Sequence, residues 1–337
     1  MTKVLDTKHI IIGVSSCLLG ENVRYDAGHK YQRYITKTLG QFFTFKSFCP
    51  EMAIGLGAPR ETLQLVQNEA GKGTEKENGE EIRCVGTKTS TLDITDQLRS
   101  TAHEQRPWHQ QLSGYILKKG SPSCGMAGVM VYQGSGAKPI GSGIYARVLQ
   151  DNFPHLPIEE EGRLGDPLLR ENFITRVFAY HHWQGLCEAT FSMKALIEFH
   201  AGYKYLLLSH DQDKAQALGT RLENALTEGI EGDIEKSIDQ IAAWYIETFM
   251  SILKLPATRE SHARVLQRLQ ALLADELSAE DKQKVSAAIS AYQNALLPLI
   301  TPITLLRHHF KYHPNSAPGS SKYLQPHPTE LKLFDSI

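Results

Sequence analysis

Three short apolar runs in the first half of the chain each lead into a cysteine held in a glycine- or proline-marked loop. Ile10-Ile11-Ile12-Gly13-Val14 runs to Ser16-Cys17-Leu18-Leu19-Gly20, and Phe42 to Phe48 runs to Cys49-Pro50-Glu51. Gly114-Tyr115-Ile116-Leu117 passes through Lys118-Lys119-Gly120 to Ser121-Pro122-Ser123-Cys124-Gly125. Strands alternating with helical patterns predict a parallel sheet covered by helices. Loops at the carboxyl ends of such strands share one edge, where open α/β sheets bind ligands. The pattern therefore predicts that one sheet edge carries three thiols.

The rest of the first half fits that frame. Residues 9–15 read as a strand. Tyr31, Tyr34, Ile35 and Leu39 recur at helical spacing and predict a helix over 29–40. Leu63–Val66 and Ile82–Val85 flank a polar Gly/Lys/Glu segment at 69–81 and read as a hairpin. Leu92 to His109 reads as a helix with a threonine-rich start. The expectation is a Rossmann-like, mostly parallel, doubly wound α/β domain.

Pro154-His155-Leu156-Pro157, followed by Glu159-Glu160-Glu161-Gly162, marks a boundary between domains 1–158 and 159–337. Asp166-Pro167 then has the cap-and-proline form of a helix start. Phe173, Val177 and Tyr180 make one apolar stripe, and Leu196, Phe199, Tyr203 and Leu207 another. Residues 214–229, 232–254, 258–275 and 278–296 continue in helical period, which predicts an all-α domain. The Pro-, Ser- and His-rich stretch from 313 to 328 reads as an extended wrap.

Bulk properties exclude little. The 337 residues carry a formal net charge of −1, with 41% hydrophobic and 22% charged content, which is an ordinary globular composition. Residues 1–160 hold 18 Lys+Arg and 16 Asp+Glu; subtraction from 36 and 37 leaves 18 and 21 for the remainder. Neither half is globally basic, so an RNA-binding face would have to be local. The first apolar run is too short to span a membrane and lacks signal-peptide anatomy, so a cytoplasmic protein is expected. Cysteines in that compartment favour metal or redox use over disulfides. Cys84 and Cys187 read as small buried hydrophobes.

Several side chains near the three loops carry two readings each. Cys17, Cys49 and Cys124 suit an iron–sulfur cluster with one position left open, or zinc, although zinc usually takes four ligands in paired CxxC spacings that are absent here. Glu51, two residues past Cys49, suits a general acid or base, or a helix-start acid after Pro50. Ser121 and Ser123 suit donors to a thiolate or substrate, or turn and cap residues. Arg24, Tyr25 and Asp26 suit the polar edge of a substrate, or an Arg–Asp loop staple. Lys118 and Lys119 suit RNA contacts, or a solvated strand end. Farther on, Arg176, His200 beside Phe199, Lys204 beside Tyr205, and Arg307, His308 and Lys311 beside Tyr312 mix cations with aromatics. That mixture serves RNA phosphates and bases, while aromatics at helical spacing equally serve a core.

The three cysteine motifs, with Val23-Arg24-Tyr25-Asp26, Gly55-Leu56 and Pro59-Arg60, resemble the thiouracil/thiouridine desulfidase family over residues of about 9–150. The remainder resembles the helical domain fused to it in tRNA 4-thiouridine desulfidases. Glu160-Glu161-Gly162-Arg163-Leu164, Leu169-Arg170-Glu171-Asn172-Phe173, Phe199-His200, Lys204-Tyr205-Leu206-Leu207, Tyr323-Leu324 and Pro326-His327-Pro328 carry that likeness. The resemblance implies a [4Fe-4S] cluster on Cys17, Cys49 and Cys124, whose fourth iron would bind a thiocarbonyl sulfur. It makes Glu51 the catalytic carboxylate and Ser121 the catalytic serine. It implies 4-thiouridine-containing tRNA as the partner, with no DNA and no membrane. Free thiolated bases such as 2-thiouracil are the alternative substrate, and a non-catalytic iron–sulfur module the alternative role. Ala27 stands where the family often has glycine. This departure is expected to be harmless, because alanine occupies most non-left-handed backbone positions.

Overall fold

The computed structural model describes residues 10–67, 82–89, 91–189, 191–228, 234–316, 318 and 321–337. The chain divides into two compact units, Met1–Gly165 and Asp166–Ile337.

Among the described residues, the first unit holds two four-stranded sheets. In one, β2 (Thr44–Phe48), β1 (Ile11–Ser15), β5 (Gly114–Leu117) and β8 (Ile158–Glu160) lie side by side in that order, all parallel. The apolar runs of β1 and β5 are buried: Ile12, Val14, Ile116 and Leu117 are each 0% exposed. Strands covered on both faces are expected to be continuously apolar rather than alternating, and this is why the runs were legible. β8 belongs to this sheet, so the unit extends past the expected boundary at 158 to Gly165.

The second sheet departs from the single sheet expected. It runs β4 (Ile82–Gly86), β3 (Leu63–Gln67), β6 (Val129–Gln133), β7 (Gly136–Gly141). β3 and β4 pair antiparallel, as the hairpin reading required; the turn assigned to 69–81 lies outside the described residues. β7 is exposed along all but its last residue, so it offered no apolar signal to read. The helix expected over 29–40 is shorter, a single wide turn at Tyr34–Thr38 continued by a 3₁₀ turn at Leu39–Gln41. The segment 92–109 breaks into α2 (Thr95–Glu104) and α3 (Arg106–His109), because Pro107 cannot supply the amide a continuous helix needs. The unit also holds α1 (Pro50–Ala53) and α4 (Ile144–Asn152).

The second unit is helical, as expected. α5 (Pro167–Glu188), α6 (Met193–His210), α7 (Gln212–Glu228), α8 (Ile234–Leu253), α9 (Arg259–Ala271), α10 (Ala279–Gln293) and α11 (Ile300–Tyr312) follow the periodic segments closely. Asp166 accepts hydrogen bonds from the amides of Leu168 and Leu169, and Thr258 and Ser278 cap α9 and α10. One core joins Trp183, Leu196, Phe199, Tyr203, Phe249, Leu266 and Leu306. The tail turns inward rather than only wrapping: Tyr323 is 1% exposed, and the Leu299 amide donates to the Ile337 carbonyl at 2.9 Å.

Candidate active site

The strand order decides the site. β2, β1 and β5 are neighbours, so the loops that follow them stand side by side at one edge. Cys17 sits in a 3₁₀ turn at Ser16–Leu19, directly after β1. Cys49 caps β2 and precedes α1, where Pro50 takes the first helical position. Cys124 lies beyond β5 in a loop folded on itself: the Gly125 amide donates to the Ser121 carbonyl at 2.8 Å. The three thiols line one cavity of about 430 Å³, together with Arg24, Tyr25, Lys30, Glu51, Arg60, Lys118, Lys119 and Ser121.

Burial sets the thiol chemistry. It pushes Cys17 up to about 11, helped by the neighbouring Cys49, and Cys124 up to about 12, helped by the charge of Glu51. Cys49 rises for the same first reason. Thiols so placed are protonated at neutral pH until a cation replaces their protons. Cys124 has hydroxyl support for that change: Ser15 Oγ donates to its sulfur at 3.7 Å, and Ser121 also hydrogen-bonds it.

Glu51 is the most constrained group in the cavity. Its Oε2 accepts from Arg60 Nε at 2.9 Å and from Arg60 Nη2. Its Oε1 accepts from Ser123 Oγ at 2.7 Å. Ser123 is 0% exposed and is absent from the cavity wall. The two serines thus divide the work differently from the expectation. Ser121 faces the cavity, where its Oγ accepts from the Ser123 and Cys124 amides at 3.2 Å. Ser123 lies behind and holds the carboxylate.

The structure also sorts the remaining candidates. Arg24 and Tyr25 line the cavity, but Asp26 does not; it accepts from the Gly28 amide at 3.1 Å and stands 3.5 Å from Arg24 Nε, which makes it the loop staple. Ala27 has φ +56°, the left-handed region, so the absent glycine is not harmless as expected. Lys118 and Lys119 line the cavity rather than standing free on a strand end, and Lys118 pairs with Glu161.

In the helical unit, Arg176 is only 7% exposed and donates to Asn172 Oδ1 at 3.0 Å, so it is a core residue and not an RNA contact. His200 is half-buried against the Tyr245 hydroxyl, and Phe199 packs in the core with its ring 4.6 Å from Tyr203. Lys204, His308 and Lys311 are exposed, while Arg307 donates to Gln325. Cys84 is buried as expected, but Cys187 is exposed, contrary to its reading as a buried hydrophobe.

Sequence reasoning assigned no role to Ser15, Arg60 or Glu161. Arg60 was visible only as part of Pro59-Arg60; its partnership with Glu51 is made by the loop between them folding back.

The donor set tests what the thiols can hold. Among the described residues, no three cysteine, histidine or carboxylate side chains converge tightly enough to hold one metal ion. Among the described residues, the cavity wall has no histidine and no further cysteine. Three separated thiols fit a multi-iron group, in which each thiolate binds its own iron.

Fold and site together define an α/β protein with a three-thiol centre. Residues 12–161 match the 2-thiouracil desulfurase family. The Bacillus subtilis (strain 168) protein YbbK, itself uncharacterized, is 32% identical over 144 residues, 42% of this chain and 89% of that protein. The chain belongs to the 2-thiouracil desulfurase family. Residues 204–328 match a second family, described only as a protein of unknown function (DUF1722). The uncharacterized Escherichia coli (strain K12) protein YbgA is 24% identical over 168 residues, 49% of this chain and 94% of that protein. A solved structure titled "[4Fe-4S]-dependent thiouracil desulfidase TudS" shows 28% identity and a TM-score of 0.34, covering 47% of this chain and 93% of its own. Among the described residues, no helix is long and apolar enough to cross a membrane.

Proposed function

We propose that this chain removes sulfur from a thiolated uracil, with 4-thiouridine in tRNA as its substrate. The observation that carries the reading is the convergence of Cys17, Cys49 and Cys124 on one cavity that also holds Glu51 and Ser121. The three thiolates would hold a [4Fe-4S] cluster. When bound, that cluster supplies a thiophilic Lewis acid at the cavity.

The chain's own groups do the rest. Glu51 takes a proton from the water that adds to the ring carbon. The carbon–sulfur bond then breaks, sulfur leaves as hydrosulfide, and the ring keeps a carbonyl oxygen. No net electron is transferred. Ser121, on the cavity wall, offers its hydroxyl to the pyrimidine. Arg24, Lys30 and Lys119 place cationic groups around the same cavity, which suits an RNA substrate. In the helical unit, the exposed Lys204 and Lys311 cations and the exposed His308 ring support an RNA role.

Free 2-thiouracil is the second reading, favoured by the family's description and by a cavity roomy enough for a pyrimidine. The test is anaerobic turnover on tRNA containing 4-thiouridine against free 2-thiouracil, following hydrosulfide release. Preference for tRNA is expected. Greater activity on the free base overturns the tRNA substrate, and no activity on either overturns the desulfidase reading. Glu51→Gln should retain iron and lose turnover.

A further inference from the structure

The Glu51 carboxylate is held at both ends, and the two holders come from different loops. A carboxylate offers about four acceptor positions, two on each oxygen. Arg60 Nε and Nη2 both donate to Oε2 and fill that oxygen. Ser123 Oγ takes one position on Oε1 at 2.7 Å. One acceptor position is left, and it is on Oε1.

The holders are themselves fixed. Arg60 Nη1 donates to the Gly57 carbonyl at 2.6 Å, and the Arg60 amide donates to the Tyr25 carbonyl at 2.9 Å. Its side chain is 7% exposed. Ser123 is fully buried, one residue before Cys124, with its carbonyl accepting from the Tyr145 amide at 3.0 Å. The clamp therefore ties the Cys49 loop to the Cys124 loop through Glu51, and to the Arg24–Tyr25 segment through Arg60.

We propose that Arg60 and Ser123 are positioning residues that fix the Glu51 rotamer and leave Oε1 as the oxygen that meets the attacking water. This rests on the desulfidase reading above. Neither residue touches substrate in this role; each acts through Glu51. Arginine suits the task because its planar fork places two donors on one oxygen, which a lysine ammonium cannot reproduce. A reacting group displaced by about 1 Å costs on the order of 100-fold in rate, so orientation alone justifies the investment in buried donors.

The test uses the reconstituted full chain. Arg60→Ala should lower kcat about 100-fold and Ser123→Ala about 10-fold, with KM within about threefold and iron per chain unchanged. Arg60→Lys should recover only part of the loss, and low-millimolar guanidinium should restore Arg60→Ala at least in part. Unchanged kcat in Arg60→Ala overturns the proposal, as does a loss that tracks lost iron and resists guanidinium. Crystal structures of both variants read the Glu51 rotamer independently of turnover. A carboxylate turned from its wild-type position supports the clamp even if the chain proves inactive on thiolated uracils, and an unmoved carboxylate overturns it.

Discussion

Gly143 is the site of a sharp steric test. It caps α4 with φ −59° and ψ 142°, a conformation any residue adopts, so alanine there meets no torsional penalty. A Cβ would nevertheless stand 2.5 Å from the Ser123 carbonyl carbon and 2.6 Å from both the Cys124 nitrogen and the Ser123 oxygen. Ordinary contact begins near 3.4 Å, so the backbone before Cys124 must move by about 0.9 Å, the difference from 2.5 Å. It cannot swing away alone, because the Gly143, Ile144 and Tyr145 amides donate to Gly125, Pro122 and Ser123 carbonyls at 2.8, 3.1 and 3.0 Å. The strain is thus passed to the third thiol and to the Ser123–Glu51 contact together. Overpacking of this kind costs about 1–3 kcal/mol. A thiol misplaced by nearly 1 Å should cut bound iron to less than about half and turnover by on the order of 100-fold. The assay is thermal unfolding by circular dichroism with iron and sulfide counted per chain, against Gly185→Ala as control. Gly185 lies inside α5 with no atom within 4 Å of an added Cβ, so that variant should gain about 0.5–1 kcal/mol. Gly143→Ala with wild-type melting and full iron would refute the reasoning.

Other expectations are simpler to check. Ala27→Gly removes a left-handed alanine and should stabilise the first unit by about 0.5–1 kcal/mol after the entropy cost of glycine, read as a rise in melting temperature. Cys17→Ser, Cys49→Ser and Cys124→Ser should each lose iron on anaerobic reconstitution, while Cys187→Ser, at an exposed thiol, should keep it. Glu171, buried beside Thr175, is lifted by burial to about 7. Its proton is kept in the folded chain and released in the unfolded one between 4.5 and about 7, so its contribution is full below 4.5 and lost as pH rises through 7. Glu171→Gln should therefore stabilise the helical unit at pH 8 by up to about 3 kcal/mol and change little at pH 4, measured by urea unfolding.

Much of the architecture was legible because burial leaves a pattern. Ile12, Val14, Ile116 and Leu117 are apolar without interruption because both faces of their sheet are covered. α5 was announced by Asp166-Pro167 and α9 by the helical period over 258–275. β7 was not legible because its residues face outward, and β8 was not because a three-residue acidic strand resembles a linker. The aromatic–basic mixture around Phe199 carried two readings for a related reason: helical spacing is the same for a core and for a binding face, and only packing puts Phe199 inside and leaves Lys204 exposed.

The sequence by itself determined that three cysteines would end three strands, and that a carboxylate and two serines would lie within a few residues of them. Those are properties of short segments, which local chemistry sets. Tertiary structure alone decided that the three strands are neighbours, which makes three loops one cavity. It also decided that Arg60 and Ser123 close on Glu51, that Ser121 and not Ser123 faces the cavity, and that Arg176 is buried. These are pairings between segments distant in the chain. Sheet order and loop closure fix them, and no spacing along the chain records either.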